Sequence, residues 1–448
     1  PFAMNFDDRD WRQLDLPHDW GIEGPFRQDL EGGTGKLPWK GIGWYRKHFT
    51  VSEKSRGKCF YLDFDGAMAN AEVWLNGKKA GGHPYGYTSF RIDLTPYLRY
   101  GQENVVSVRL DTEKWGSRWY PGAGIYRHVR LVVTDPVHVA QWGVFVTTPE
   151  ITPQKATAKI AVSIENRSAD NRDITCQVAI HRMKKDGSKG KKEAESPRLS
   201  MYIPASGKMT DSVLLSVNQP RLWELEQTDR YIASVRVYDR NRQIDEYDVT
   251  FGFRTIAFTH DDGFHLNGKR VQIKGVCMHH DLGALGAAIN KSALRRQLTI
   301  LKSFGCNAIR TSHNTPAPEL LELADEMGFL IMDEAFDCWT AGKKEYDYAT
   351  LFHQWYEKDL EALVCRDRNH PSVILWSTGN EVAEQYHPES GWARRLTETV
   401  HRFDPTRPAT FGASWPGKSA MNGTELQVDV HGMNYPSGCY GGPDFYGD

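Results

Sequence analysis

The residues best suited to chemistry stand at 380 and 381, an amide followed by a carboxylic acid. They close the segment Arg366-Asp367-Arg368-Asn369-His370-Pro371-Ser372-Val373-Ile374-Leu375-Trp376-Ser377-Thr378-Gly379-Asn380-Glu381. Val373 to Trp376 is a short apolar run after a proline and before a glycine, the pattern of a buried parallel strand. A carboxyl group at the C-terminal end of such a strand suits general acid and base work. An apolar wall can raise its pKa, and the neighbouring amide can hold a substrate hydroxyl. Four other polar groups follow predicted strands in the same way: Met278-His279-His280-Asp281, Arg310-Thr311-Ser312-His313-Asn314, Asp333-Glu334 and Asn434-Tyr435. Parallel strands in a barrel bring their C-terminal ends to one rim, so residues far apart in the chain can meet there.

The elements that must position these groups are legible as a pattern. From about Thr255 the sequence alternates between strand and helix, which argues for parallel βαβ units. A hairpin turning at Asn267-Gly268 leads in. Strands are expected at Val271–Cys277, Asn307–Thr311, Phe329–Met332, Val373–Trp376, Ala409–Phe411 and Val428–Met433. Helices are expected at Lys291–Phe304, with Leu294, Leu298 and Leu301 on one face, and at Pro318–Met327, stopped by Gly328. Two more are expected at Leu351–Arg366 and Gly391–Arg402. That gives about six strands, where a closed barrel of this type needs eight. The last two are expected past Asp448, and the open edges of six strands need cover.

The segment ending in Glu381 closely resembles the acid/base signature of glycoside hydrolase family 2, which holds β-galactosidases, β-glucuronidases and β-mannosidases. Every position is filled, from Asp367-Arg368-Asn369-His370 to Asn380-Glu381. Asn307-Ala308-Ile309-Arg310-Thr311-Ser312-His313 is similar to the family's other signature. The resemblance implies a (β/α)8 barrel, here incomplete, over residues 255–448. It makes Glu381 the proton donor and places His279, His313, Asn380, Asn434 and Tyr435 against the sugar, with Asn380 on the 2-hydroxyl. It also implies that Arg310 supports the nucleophile. Asp333 and Glu334 could be catalytic on chemistry alone, but the resemblance gives them a buried, supporting role. The nucleophile, a second Glu ending strand seven, would lie beyond Asp448, so these residues alone are expected to be inactive.

The implied reaction is retaining, exo-acting hydrolysis of terminal β-D-galactosides in carbohydrate catabolism. β-Glucuronide or β-mannoside hydrolysis, or non-catalytic carbohydrate binding, are the alternatives. No basic cluster for a uronate is evident at the strand ends, Arg310 apart. The large β-galactosidases read His-Tyr-Pro, whereas His313 is followed by Asn314-Thr315-Pro316, wording similar to the shorter bacterial branch. Their magnesium ligands correspond to Cys338 and Thr340 here, and His279-His280-Asp281 lacks the spacing of a helical zinc site. No metal and no cofactor are expected.

The first part of the chain reads as all-β. Over residues 1–135, Trp44 to Val51, Phe60 to Phe64, Glu72 to Leu75, Ser89 to Leu94 and Val105 to Leu110 are strand candidates. Asn76-Gly77 marks a two-residue hairpin, because both turn positions need positive φ. The order is similar to the family's jelly-roll domain. In the run Arg118-Trp119-Tyr120-Pro121-Gly122-Ala123-Gly124-Ile125-Tyr126-Arg127, the Trp-Tyr-Pro-Gly loop is expected to be a structural corner rather than a pocket edge. Residues 136–254 hold four more strand candidates, Lys159 to Ile164, Ile174 to Ile180, Asp211 to Leu215 and Tyr231 to Tyr238. Pro220-Arg221-Leu222-Trp223 and Phe251-Gly252-Phe253-Arg254 are similar to landmarks of the family's immunoglobulin-like domain, for which a spacing role is expected. Lys184 to Lys192 is rich in Lys and Gly and reads as a solvated hairpin tip.

Composition narrows the classes of partner. The 448 residues carry a net charge of -2, which leaves no nucleic-acid footprint. The 7 cysteines are scattered and odd in number, against a complete disulfide framework. No apolar run is long enough to span a membrane, and no leader is visible at Pro1. The expected partner is a β-linked oligosaccharide or glycoside, and assembly into a homo-oligomer is allowed for. A periplasmic or secreted location is favoured only by analogy of fold.

Overall fold

The computed structural model describes residues 1–414 and 421–435. Its first unit is a sandwich of two antiparallel sheets. One sheet runs in the order Ile42–Thr50, Glu103–Asp111, Ala71–Leu75, Lys78–His83, and the other in the order Phe90–Asp93, Cys59–Phe64, Val129–Thr134. Ala71–Leu75 alternates between buried and half-buried positions, as a strand with one face on a core should. Asn76 and Gly77 have φ of 54° and 81°, the paired positive values of the hairpin their types require.

The second unit is another sandwich. Five strands centred on Arg172–Met183 and Tyr231–Asp239 face a sheet of Lys208–Asn218, Lys155–Asn166 and Val137–Ile151. Val162, Ile164, Val178, Val235 and Phe251 are among the side chains that fill the space between them. The lysine-rich stretch turns between Arg172–Met183 and Lys189–Glu195 at the sheet edge. Lys189 folds back there onto Glu246 and Asp248.

The third unit carries the site. A sheet of six parallel strands runs in chain order: Gly275–Met278, Ala308–Thr311, Leu330–Glu334, Val373–Asn380, Ala409–Ala413 and Gly432–Met433. Helices α1 (Lys291–Ser303), α2 (Pro318–Met327), α3 (Phe352–Asp367) and α4 (Trp392–Phe403) connect them. Asn290 caps α1 by accepting from the Ala293 N–H. Gly328 ends α2 at φ 72°, where a Cβ would be strained. All eight residues of Val373–Asn380 are buried, which explains the unbroken apolar run at its start. The sheet is an incomplete (β/α)8 barrel behind two β-sandwiches, the architecture the sequence implied. No described helix is long and apolar enough to cross a membrane.

Two seams bind the units. The first sandwich and the barrel share one core, in which Tyr85, Trp115 and Tyr126 pack with Phe336, Trp339 and Phe352. Arg127, fully buried, donates to the carbonyls of Tyr87, Asp65, Thr315 and Pro316 and so straddles that seam. The second seam explains the first half of the signature. Asn369 exchanges hydrogen bonds with the backbone of Val144 and Val146, and Arg254 donates to the carbonyls of Pro371 and Val373. His370 pairs with Asp325 at 2.6 Å. Contacts of Arg368, Asn369 and Pro371 therefore dock the second sandwich just ahead of the strand that leads to Glu381.

Candidate active site

Strand ends bring the chemistry together as parallel geometry requires. Arg310, near the end of its strand, lies at the centre. Its Nε donates to Glu334 Oε2 at 2.7 Å, its Nη1 to Asn434 Oδ1 at 3.1 Å and its Nη2 to Asn380 Oδ1 at 3.0 Å. Asn434 Nδ2 in turn donates to Asn380 Oδ1 and to Glu381 Oε1, both at 3.0 Å. Four strands thus meet within one hydrogen-bonded set. Gly412 makes room for it, since a Cβ there would stand 2.6 Å from Arg310 Nη2.

Glu334 is fully buried and satisfied on both oxygens. Oε2 also accepts from Ser377 Oγ at 2.6 Å, and Oε1 meets His313 Nδ1 at 2.6 Å. Burial pushes its pKa up, but the Arg310 charge and the His313 contact outweigh burial and hold it below the usual carboxylate range. A carboxylate only accepts, so His313 Nδ1 carries a proton and Nε2 is left as the free ring nitrogen. Asp333, its neighbour on the strand, faces the other way, against Asp367 and Arg366 of α3. Burial and then the Asp367 charge push its carboxyl well above the usual range. Asp333 is therefore outside the pocket.

Glu381 sits half-buried just past its strand with φ 46°, a left-handed backbone that costs a non-glycine residue energy. Its N–H donates to Gly412 O at 2.7 Å, which holds that conformation. Tyr435 follows Asn434 with φ 56°. His279 and His313 face each other edge to face at 5.5 Å. His280 turns away: half-buried, it contacts Pro121 O at 3.1 Å, and loss of solvation takes its pKa down to about 3.

Several residues at this rim were not picked out from the sequence. Trp119 packs on His279 at 4.5 Å and on His313 at 5.8 Å. The Trp-Tyr-Pro-Gly loop thus makes the expected corner and also reaches the histidines at the strand-end rim. Tyr120 does make the corner, donating to Asp19, while Trp119 projects onto the two histidines. Arg118 forms a two-pronged ion pair with Asp337, at 2.8 and 2.6 Å. Asp337 Oδ1 also accepts from Lys343 Nζ and Asn380 Nδ2, both at 3.0 Å. Cations thus do stand near the strand ends, but each has a carboxylate partner. The signal available was the rich polar run Asp333-Glu334-Ala335-Phe336-Asp337 and the conspicuous Arg118-Trp119 pair.

A buried acid-amide-arginine set beside paired histidines fits sugar chemistry, and comparison with known proteins agrees. Residues 258–440 match the TIM barrel domain of glycosyl hydrolases family 2, residues 137–254 match glycosyl hydrolases family 2, and residues 37–135 match that family's sugar binding domain. The chain belongs to glycosyl hydrolase family 2. It is 43% identical to the beta-galactosidase BoGH2A of Bacteroides ovatus over 96% of this chain and 54% of that protein. It is 30% identical to a beta-glucuronidase of Bacteroides fragilis over 91% of this chain and 59% of that one. A family 2 member from Bacteroides cellulosilyticus superposes with a TM-score of 0.92 at 39% identity, covering 97% of this chain and 56% of that structure. Bacteroides uniformis beta-glucuronidase superposes at 0.82 and 26%, covering 98% and 54%. The chain spans about half the length of the curated relatives it matches.

Proposed function

We propose that the intact protein is a retaining β-glycosidase acting on terminal β-D-galactosides. The hydrogen bond between Asn434 and Glu381, inside the set organised by Arg310, carries this reading. It fixes a carboxyl group at the barrel rim beside an amide that can hold a sugar hydroxyl. Glu381 would protonate the leaving glycosidic oxygen and then take a proton from the water that releases the sugar. Asn380, Asn434 and Tyr435, with the Nε2 face of His313 and with His279, would hold the sugar hydroxyls. Arg310 and Glu334 would keep that frame in register, and Asp333 would support it from behind. The nucleophile, roughly 5–5.5 Å from the acid in retaining enzymes, would be supplied by a later strand of a complete barrel.

The galactoside preference is supported by the name of the 43% relative. A β-glucuronide is the second reading, supported by the relatives named beta-glucuronidases and by Arg118 and Lys343 beside the pocket. Against it, both cations already bind Asp337. The test is a panel of 4-nitrophenyl β-glycosides on the intact protein and on Glu381→Gln. The galactoside should turn over at least tenfold faster than the glucuronide. Glu381→Gln should lose about 10²–10⁴-fold in rate. The loss should shrink with a 2,4-dinitrophenyl leaving group, which departs without a proton. A Glu381→Gln protein as fast as the wild type would refute the assignment.

A further inference from the structure

Asp337 belongs to the loop after the third barrel strand and was assigned no role above, yet its side chain is tied to the centre of the site. Oδ1 accepts from Asn380 Nδ2 at 3.0 Å. That bond decides which way the Asn380 amide points. Its oxygen is turned to Arg310 Nη2 and Asn434 Nδ2, each at 3.0 Å. One amide N–H of Asn380 is then spoken for and the other is left for a ligand. Lys343 Nζ adds a second tie, bridging Asp337 Oδ1 at 3.0 Å and the Asn380 carbonyl at 2.5 Å. That carbonyl belongs to the peptide joining Asn380 to Glu381, whose left-handed backbone needs outside support. Asp337 itself is held by the fork of Arg118, from the first sandwich.

We propose that Asp337 and Arg118 are positioning residues for the glycosidase reaction. The bridge between them carries the first sandwich into the barrel, sets the Asn380 amide for the sugar 2-hydroxyl and steadies the Glu381 backbone. The inference rests on Asn380 and Glu381 acting as set out above. It makes the sandwich part of the catalytic apparatus rather than a spacer. An ion pair with two parallel N–H···O bonds fixes angle as well as distance, which suits a role in alignment. A lysine at 118 could supply charge but not that geometry.

The test uses the intact protein with 4-nitrophenyl β-galactoside and its 2-deoxy analogue. Asp337→Asn and Arg118→Gln should each lower kcat for the galactoside by about 10²-fold, the cost of a misplacement near 1 Å, while KM changes less than about threefold. With the 2-deoxy analogue the loss should fall to about tenfold or less, because the contact being aligned is no longer made. Arg118→Lys should recover only part of kcat. Equal fold losses on the two glycosides, or losses carried wholly by KM, would overturn the proposal. Should Asp337→Asn not fold, Arg118→Gln carries the same comparison. Failure of the glycosidase reading itself would look different, as Glu381→Gln hydrolysing both substrates at the wild-type rate.

Discussion

Replacing Glu334 by Gln tests the buried centre without requiring turnover. In the wild type, Glu334 takes hydrogen bonds from Arg310, Ser377 and His313 and carries the charge that offsets Arg310. Gln keeps the size but has only one acceptor oxygen. If that oxygen faces Arg310 and Ser377, its amide nitrogen faces His313 Nδ1, a donor against a donor. The ring must then move its proton to Nε2, which reverses the polarity His313 shows to the pocket. Arg310 meanwhile loses the one carboxylate it pairs with among the described residues. Removing one partner of a buried pair costs about 3–5 kcal/mol, and the contacts Gln retains place this change at about 2–4 kcal/mol. In urea that is a drop of roughly 1 M in the midpoint of the barrel transition. The sign with pH is fixed. A carboxyl held below its usual range stabilises fully above the unfolded value of about 4.3 and loses that contribution as pH falls through the folded value. The gap between Glu334→Gln and wild type should therefore be widest at pH 7 and narrow below pH 4. Nitrogen-15 chemical shifts of His313 report the tautomer directly. A midpoint within 0.2 M of wild type at pH 7, or a gap that widens toward acid, would refute the reasoning.

Asp333 should respond to pH in the opposite sense. Its carboxyl is raised in the folded chain by burial and then by the Asp367 charge. An acid raised on folding favours the fold while protonated, and that contribution drains away as pH climbs above the unfolded value of about 3.9. Asp333→Asn removes the titration, so its advantage over wild type should grow by up to about 1.4 kcal/mol per pH unit between pH 5 and 6; urea titrations at the two values check it, and a flat difference would count against it. Arg127→Met strips the donors from a seam of buried carbonyls and should cost at least about 2 kcal/mol. A thermal melt would show this as a lowered transition for the sandwich and barrel together, and an unchanged melt would mean the carbonyls find other partners.

The barrel strands and helices were legible because period and spacing are local properties, whereas Glu381 was singled out by its resemblance to a family signature. Val373 to Trp376 announces a buried strand, Leu294 and Leu298 announce the inner face of α1, and Asn76-Gly77 announces a turn, each from neighbours within a few positions. Once strand ends are known, parallel topology brings Arg310, Glu334, Asn380, Glu381 and Asn434 to one rim. Burial of Asp333 and Glu334 was legible too, but their opposite directions become plain only when α3 supplies Asp367 behind one of them. The Arg118–Asp337 pair lies outside this logic. Its partners are 219 residues apart, sit on loops with no period, and come from units that pack through a shared aromatic core. Nothing local distinguishes an arginine that reaches across a seam from one that faces solvent. What singles out this one is cost: an arginine fork in a part-buried seam gives up hydration and rotamer freedom, and only a fixed carboxylate repays it. Asp337 is such a carboxylate because Asn380 and Lys343 already hold it. The pair therefore depends on the active-site frame for its own stability, and that mutual dependence is the physical reason to expect changes at Arg118 to be felt at Glu381.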